Sequence, residues 1–353
     1  MSLKKNDEIK LNIESVTSEG SALGRYNGLA VFVFGAVPGD VVEAHIIKVS
    51  KNYAVGIIKE IIEKSPFRIE SDCPVSDKCG GCTFRSMTYE KELQSKLDIV
   101  NGNMERIAKL PIRCEEIIGA SDILRYRNKA QYPVCIQGNG FCAGFYAYKS
   151  HRIVPAADCL LQPAEFKAGV EAFEKWALAA NVSSFDEKSG RGLLRHIYFR
   201  KAFATGEIMA CAVINGSSVP EPQMLVSFLQ SALPGLKSVV LNINKNKTNV
   251  ILGEKTKLLW GSEKITDMLL GKKFIISPQS FYQVNHAQCE KLYSAAAELA
   301  GLSGSETVLD MYCGAGTVGI SLSDKCKSLC GIEIVPQLSL IHISEPTRLR
   351  CIS

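Results

Sequence analysis

Between Thr307 and Ile334 an apolar strand runs into a glycine turn, a short helix and a second strand. No other stretch constrains the fold of the chain so tightly. Val308-Leu309-Asp310-Met311 leads into Tyr312-Cys313-Gly314-Ala315-Gly316-Thr317, and Gly331-Ile332-Glu333-Ile334 closes the second strand. This order predicts the first units of a doubly wound sheet. Gly314 and Gly316 let the backbone approach a ligand where a side chain would block it. Glu333 ends the second strand, where a carboxylate can accept hydrogen bonds from both hydroxyls of a ribose. With Gly319 the turn also has the spacing of the dinucleotide fingerprint, which admits a nicotinamide or flavin site. The plain alternative is an ordinary strand-turn-helix with well-packed glycines.

The 353 residues leave room for two or three domains, and 46% hydrophobic with 22% charged residues is the balance of a soluble globular protein. No apolar run is long enough to span a bilayer, and the first residues, Met1-Ser2-Leu3-Lys4-Lys5-Asn6-Asp7, lack the apolar core of a signal peptide. A cytoplasmic protein without a membrane partner is expected, and a monomer. The net charge of +5 fits an RNA partner. Thirteen cysteines are many for a reducing compartment, where clustered thiols argue for metal or catalysis rather than disulfides.

Residues 8–60 predict short strands. Ile9, Leu11 and Ile13 alternate with polar residues, Asn27-Gly28 marks a hairpin, and Pro38-Gly39-Asp40 marks a turn. A small barrel of the oligonucleotide-binding type is the expectation from this punctuation, with Lys48 and Lys51 able to meet phosphates. Next, Cys73, Cys79 and Cys82 have a spacing that lets a tight loop aim its sulfurs at one ion or cluster. Zinc and an iron–sulfur cluster both accept such ligands. Cys114, Cys135, Cys142, Cys211, Cys289, Cys326 and Cys330 sit mostly among apolar neighbours and are read as core residues. Tyr89, Leu93, Leu97, Val100, Met104 and Ile107 recur at helical steps and predict an amphipathic helix over 87–108 whose stripe is core. Arg125-Tyr126-Arg127-Asn128-Lys129 combines cations with an aromatic, a composition suited to RNA. A mixed, strand-rich domain is expected over 112–275, with a helix from Pro163 that buries Phe166, Val170, Phe173 and Trp176, and with His196 structural rather than catalytic. Ser277-Pro278-Gln279-Ser280-Phe281-Tyr282-Gln283-Val284-Asn285 precedes a further helix with Cys289, Leu292, Tyr293, Ala296 and Leu299 on one face.

Several of these stretches together resemble one family. The segment over 8–60 resembles a TRAM domain. The cysteine spacing matches the cluster motif of the ribosomal RNA uracil-5-methyltransferases. Asp310-Met311-Tyr312-Cys313-Gly314 resembles the first motif of S-adenosylmethionine-dependent methyltransferases, and Phe281-Tyr282-Gln283-Val284-Asn285 resembles a second family signature. The chain therefore looks like a 23S rRNA (uracil-5-)-methyltransferase, of the class that includes the transfer-RNA enzyme, with the match running to about Gln337. The resemblance implies a TRAM-like barrel over 1–62, a mixed α+β central domain over 63–275, and an incomplete Rossmann-like methyltransferase domain over 276–337. It implies S-adenosylmethionine as cofactor, bound by Gln283, Tyr312, Gly314 and Glu333. It implies a 4Fe–4S cluster held by Cys73, Cys79, Cys82 and a distant fourth cysteine, for which Cys159 fits, coming after His151 and the apolar Ile153-Val154. The implied partner is ribosomal RNA, with transfer RNA the alternative.

In that family a cysteine thiolate adds to carbon 6 of uracil, carbon 5 takes the methyl group, and a glutamate removes the carbon 5 proton. The target base must leave its stack to reach these groups. The family's nucleophile lies well after the ribose-binding glutamate in a Cys-(Asn or Asp)-Pro setting. Here Cys351 is the only cysteine after Glu333 and lacks that setting. No catalytic residue is assigned, and a chain inactive in methyl transfer is expected. Residues 338–353 are read as a non-native tail resembling adapter read-through, since Ser339 to Arg348 lacks an amphipathic stripe and carries Pro346. The competing expectations are a non-catalytic RNA-binding or redox-sensing cluster protein, and a zinc protein.

Overall fold

The computed structural model describes residues 3–138, 140–334 and 350–351. It contains two compact units, residues 1–121 and 122–353. Of the tail read as non-native, all but 350–351 lies outside the described residues.

In the first unit five strands close a barrel: β1 (Glu8–Val16), β2 (Ser21–Tyr26), β3 (Leu29–Phe34), β4 (Val41–Val49) and β5 (Tyr53–Glu63), in the order β1-β2-β3-β5-β4. The alternation read from the sequence holds, with Ile9, Leu11 and Ile13 buried inside. Asn27 and Gly28 both take positive φ, 49° and 83°, as a two-residue hairpin turn requires. Asp40 anchors the segment that leaves the barrel after β5. Its fully buried carboxylate accepts from the N–H groups of Val37 at 2.7 Å and Ser65 at 2.9 Å and from Arg68 Nε at 3.1 Å. Burial alone would raise its pKa, but Arg68 and the two N–H groups outweigh it and hold the group ionised below its usual range.

The helix expected over 87–108 is α1 (Tyr89–Asn103), capped by Thr88, and it ends in a single π turn, Met104–Ala108. Its apolar stripe is not core. Val100 is exposed and Ile107 is 77% exposed, whereas Ser95 and Asn101 are buried. The reason lies in a polar clamp: the Asn101 amide grips both the N–H and the C=O of Cys114 at 2.7 and 3.0 Å. The helix thus covers an irregular loop, onto which Tyr89 also closes by accepting from the Ala120 N–H.

The second unit is built on seven strands in the order β12-β11-β10-β9-β6-β7-β8. They are β6 (Lys129–Gln137), β7 (Gly140–Tyr146), β8 (Ile153–Pro155), β9 (Leu194–Lys201), β10 (Ile208–Ile214), β11 (Leu236–Ile243) and β12 (Lys255–Gly261). One face is covered by α2 (Glu165–Ala179) and α3 (Pro222–Ala232), with Phe166, Val170, Phe173 and Trp176 all buried as their spacing predicts. The other face packs on the hairpin β13 (Ile265–Leu269) and β14 (Lys272–Ile276), on Tyr282, and on α4 (His286–Leu299). Along α4 the buried residues are Cys289, Tyr293 and Ala297. Leu292 and Leu299, expected on that face, are 58% and 89% exposed, because the contact is narrower than the full apolar stripe. His196 is buried, and burial beside Arg195 lowers its pKa to about 4, so it is a neutral structural histidine at pH 7. The cysteines read as core divide: Cys211 and Cys289 are buried, Cys114 is exposed, and the others are half-buried.

Candidate functional site

Strand β15 (Thr307–Met311), helix α5 (Thr317–Leu322) and strand β16 (Ser328–Ile332) realise the unit predicted at 307–334. β15 and β16 are parallel, pairing Thr307 with Ser328 through Met311 with Ile332, and Arg350–Cys351 (β17) extends the sheet beyond β16. The register brings the C-terminal ends of β15 and β16 level, so the glycine turn and Glu333 emerge side by side. Ligands of open α/β sheets bind at this end of the strands.

The turn is fixed by backbone and carboxylate contacts. Cys313 N–H donates to Ile332 O at 2.9 Å, and Gly314 N–H donates to Glu333 Oε2 at 2.8 Å. Gly314 and Gly316 have φ of 55° and 70°. A Cβ on Gly314 would meet nothing nearer than Glu333 Oε2 at 4.0 Å, so the space before it is open. Gly319 serves packing instead: a Cβ there would lie 2.9 Å from both Asp310 Oδ2 and Leu329. Asp310 Oδ2 accepts the Gly319 N–H at 2.9 Å, and burial raises its pKa despite that bond. Tyr312 has φ of 62°, an uncommon region for a bulky side chain, and the residue is 84% exposed. Strained backbone held by its surroundings is a feature of ligand sites.

Gln283 reaches this turn through two side chains. Its side chain lies near the Tyr293 hydroxyl, and that hydroxyl is 3.0 Å from Thr317 Oγ1 at the start of α5. From the other side Asn128 clamps the same segment: its Nδ2 donates to Gln283 O at 2.7 Å and its N–H to Val284 O at 2.8 Å. Arg127 pairs with Asn285 as a β-bridge. Tyr312, Gly314 and Glu333 thus lie together at the turn, whereas Gln283 precedes α4 and is tied to the basic stretch through Asn128. The sequence places Asn128 in the basic run and Tyr293 on a helix face, but gives neither a role at this segment. Asn128 had one signal, its place inside a cationic run that needs no amide.

The basic stretch is not uniformly available. Arg125, at φ of 56°, donates to Asp158 Oδ1 at 2.7 Å and to the carbonyls of Cys159 and Gln162, both at 3.1 Å. It organises the loop that carries Cys159.

Cys73, Cys79 and Cys82 lie in the first unit and Cys159 in the second. The 73–82 loop is tightly turned, with Cys79 N–H donating to Val75 O at 2.8 Å and Gly81 N–H donating to Cys79 Sγ at 3.4 Å. Among the described residues, however, no three His, Cys, Asp or Glu side chains are gathered around one metal-sized position. The convergence expected from the cysteine spacing is thus not seen. The loop is anchored by main-chain turns that do not themselves bring the sulfurs together.

Among the described residues no helix is long and apolar enough to cross a membrane. A family model of the TRAM domain matches residues 3–59, the closed barrel. An RNA methyltransferase of Halalkalibacterium halodurans, itself uncharacterized, is 41% identical over 336 residues, covering 95% of this chain and 73% of that protein. One from Clostridium tetani is 40% identical over 333 residues, covering 94% and 72%. Among solved structures, the Pyrococcus abyssi tRNA (uracil-54, C5)-methyltransferase in complex with S-adenosyl-L-homocysteine superposes with a TM-score of 0.74 at 21% identity. That match covers 97% of this chain and 79% of the other.

Proposed function

The chain belongs to the RNA methyltransferase family, and on that footing we propose that it binds S-adenosylmethionine at the Gly314 turn for methylation of carbon 5 of a uridine in 23S rRNA. The observation that carries the cofactor reading is the Glu333–Gly314 contact at 2.8 Å, beside an open glycine turn and an exposed Tyr312. Glu333 would hold the ribose hydroxyls, Tyr312 would pack against the adenosine or sulfonium, and Gln283 would grip polar parts of the ligand. The bound cofactor supplies an electrophilic methyl group. The choice of uracil carbon 5 and of ribosomal RNA rests on the motif resemblance, and the Pyrococcus likeness supports the fold.

The 353 residues contain no Cys-(Asn or Asp)-Pro element beyond Glu333. We therefore expect cofactor binding without turnover. Titration calorimetry with S-adenosylmethionine and a radiolabelled methyl-transfer assay on unmodified 23S rRNA test the two halves. Binding with no transfer supports the proposal. Turnover would show that a different thiol serves, and absence of binding would favour a non-catalytic RNA-binding protein.

Cys73, Cys79, Cys82 and Cys159 are proposed as ligands of a 4Fe–4S cluster on the motif resemblance, to which the spacing of the first three adds. Anaerobically purified protein should be brown, and removing the iron should bleach it. Colourless protein with bound zinc would support the rival metal instead.

A further inference from the structure

Three cations of the second unit lack the acidic partners that their neighbours have. On β6 and β9, Lys129 stands directly opposite Arg200, a like-charge cross-strand pair that destabilises a sheet unless something compensates it. The flanking cations are paired: Lys201 with Glu165 at 2.5 Å and Arg125 with Asp158 at 2.7 Å. Among the described residues Arg127, Lys129 and Arg200 form no ion pair. Arg200 is 1% exposed. Its two terminal nitrogens donate to the carbonyls of Ser277 and Ser280, both at 2.8 Å, and its Nε is buried without an acceptor. These bonds place Arg200 on the face of the sheet that meets the 277–283 segment, and cross-strand pairing puts Lys129 on that face with it.

We propose that Lys129, with Arg127 and Arg200 behind it, seats one phosphate of the RNA backbone beside the cofactor-proximal segment Phe281–Asn285. The seat rests on the proposed RNA substrate and deepens that reading. A half-buried cation cluster with no internal carboxylate needs an anion from outside, and a phosphate supplies the acceptors that Lys129 lacks. Burial, with repulsion from Arg200 and Arg127, already lowers the pKa of the Lys129 ammonium, and a bound phosphate would relieve that repulsion. The seat adjoins Asn128, which clamps Gln283. One phosphate contact here would therefore set the register of the RNA strand against the methyl donor, as backbone contacts do elsewhere.

The test is fluorescence anisotropy with a labelled uridine-containing RNA hairpin, from about 50 to about 200 mM salt. Lys129→Gln should weaken binding several-fold and reduce the salt slope by about one ion, while Lys129→Arg keeps both near wild type. The Tm of Lys129→Gln should not fall, because a like-charge repulsion is removed. Wild-type affinity and slope in Lys129→Gln overturn the phosphate seat alone. Weaker binding with an unchanged slope also overturns it, since the lost contact would not be ionic. Failure of the wild-type chain to bind the hairpin at any salt removes the RNA reading and the seat together.

Discussion

Arg200→Ala is expected to lower the unfolding free energy of the 122–353 unit by about 4 kcal/mol, read as a shift of the denaturant midpoint. The guanidinium is buried and spans two carbonyls, Ser277 O and Ser280 O, from the middle of the sheet. Its removal strands both acceptors, at about 1–3 kcal/mol each, and leaves a cavity the size of a long side chain. Arg200→Lys should recover little, because a single ammonium cannot reproduce the planar fork that reaches both oxygens. The neighbouring Tyr198 hydroxyl also donates to this turn, at Pro278 O, so the segment would loosen rather than detach. Since 277–280 leads straight into Gln283, cofactor affinity should fall along with stability. A midpoint shift worth less than about 1 kcal/mol would mean that Tyr198 and the Ser277–Ser280 hydroxyl contacts hold the turn without Arg200.

How much of the fold and the site was legible in the sequence depended on how local the cause was. The barrel strands and α2 obey period-two and helical spacing, and each buries the residues that its pattern named. The glycine turn was legible because φ above zero at Gly314 and Gly316 has few alternatives. The positive φ of Tyr312 was not, since it depends on the Cys313–Ile332 and Gly314–Glu333 bonds that arrive from β16. The stripes on α1 and α4 misled for a related reason. Periodicity says which residues share a face, but it does not say how much partner surface will meet that face. Arg125, in the basic run, and Arg200, at the end of a strand, carry the same side chain, and nothing local in the sequence distinguishes what each one holds. Only long-range contacts show that one braces the Cys159 loop and the other braces the 277–280 turn.

Glu333→Ala is expected to weaken S-adenosylmethionine binding by about 10- to 150-fold, with little change in the melting curve. A hydrogen bond to a charged group contributes about 1.5–3 kcal/mol, and each 1.4 kcal/mol is about a factor of ten in affinity. The carboxylate has two oxygens, and Oε2 is already engaged by the Gly314 N–H at 2.8 Å. That bond aims the group before any ligand arrives, so the side chain should need little reordering on binding. Glu333→Gln keeps one acceptor and loses the charge, and should fall between wild type and alanine. Glu333→Asp keeps the charge but shortens the reach by one methylene, and should resemble alanine if the ribose is the partner. Adenosine and S-adenosylhomocysteine should lose affinity by the same factor as the methyl donor, because all three share the ribose. Methionine, which lacks it, should be unaffected. Equal losses for methionine would place Glu333 on the amino-acid end of the cofactor instead, and unchanged binding of all four ligands would remove it from the site.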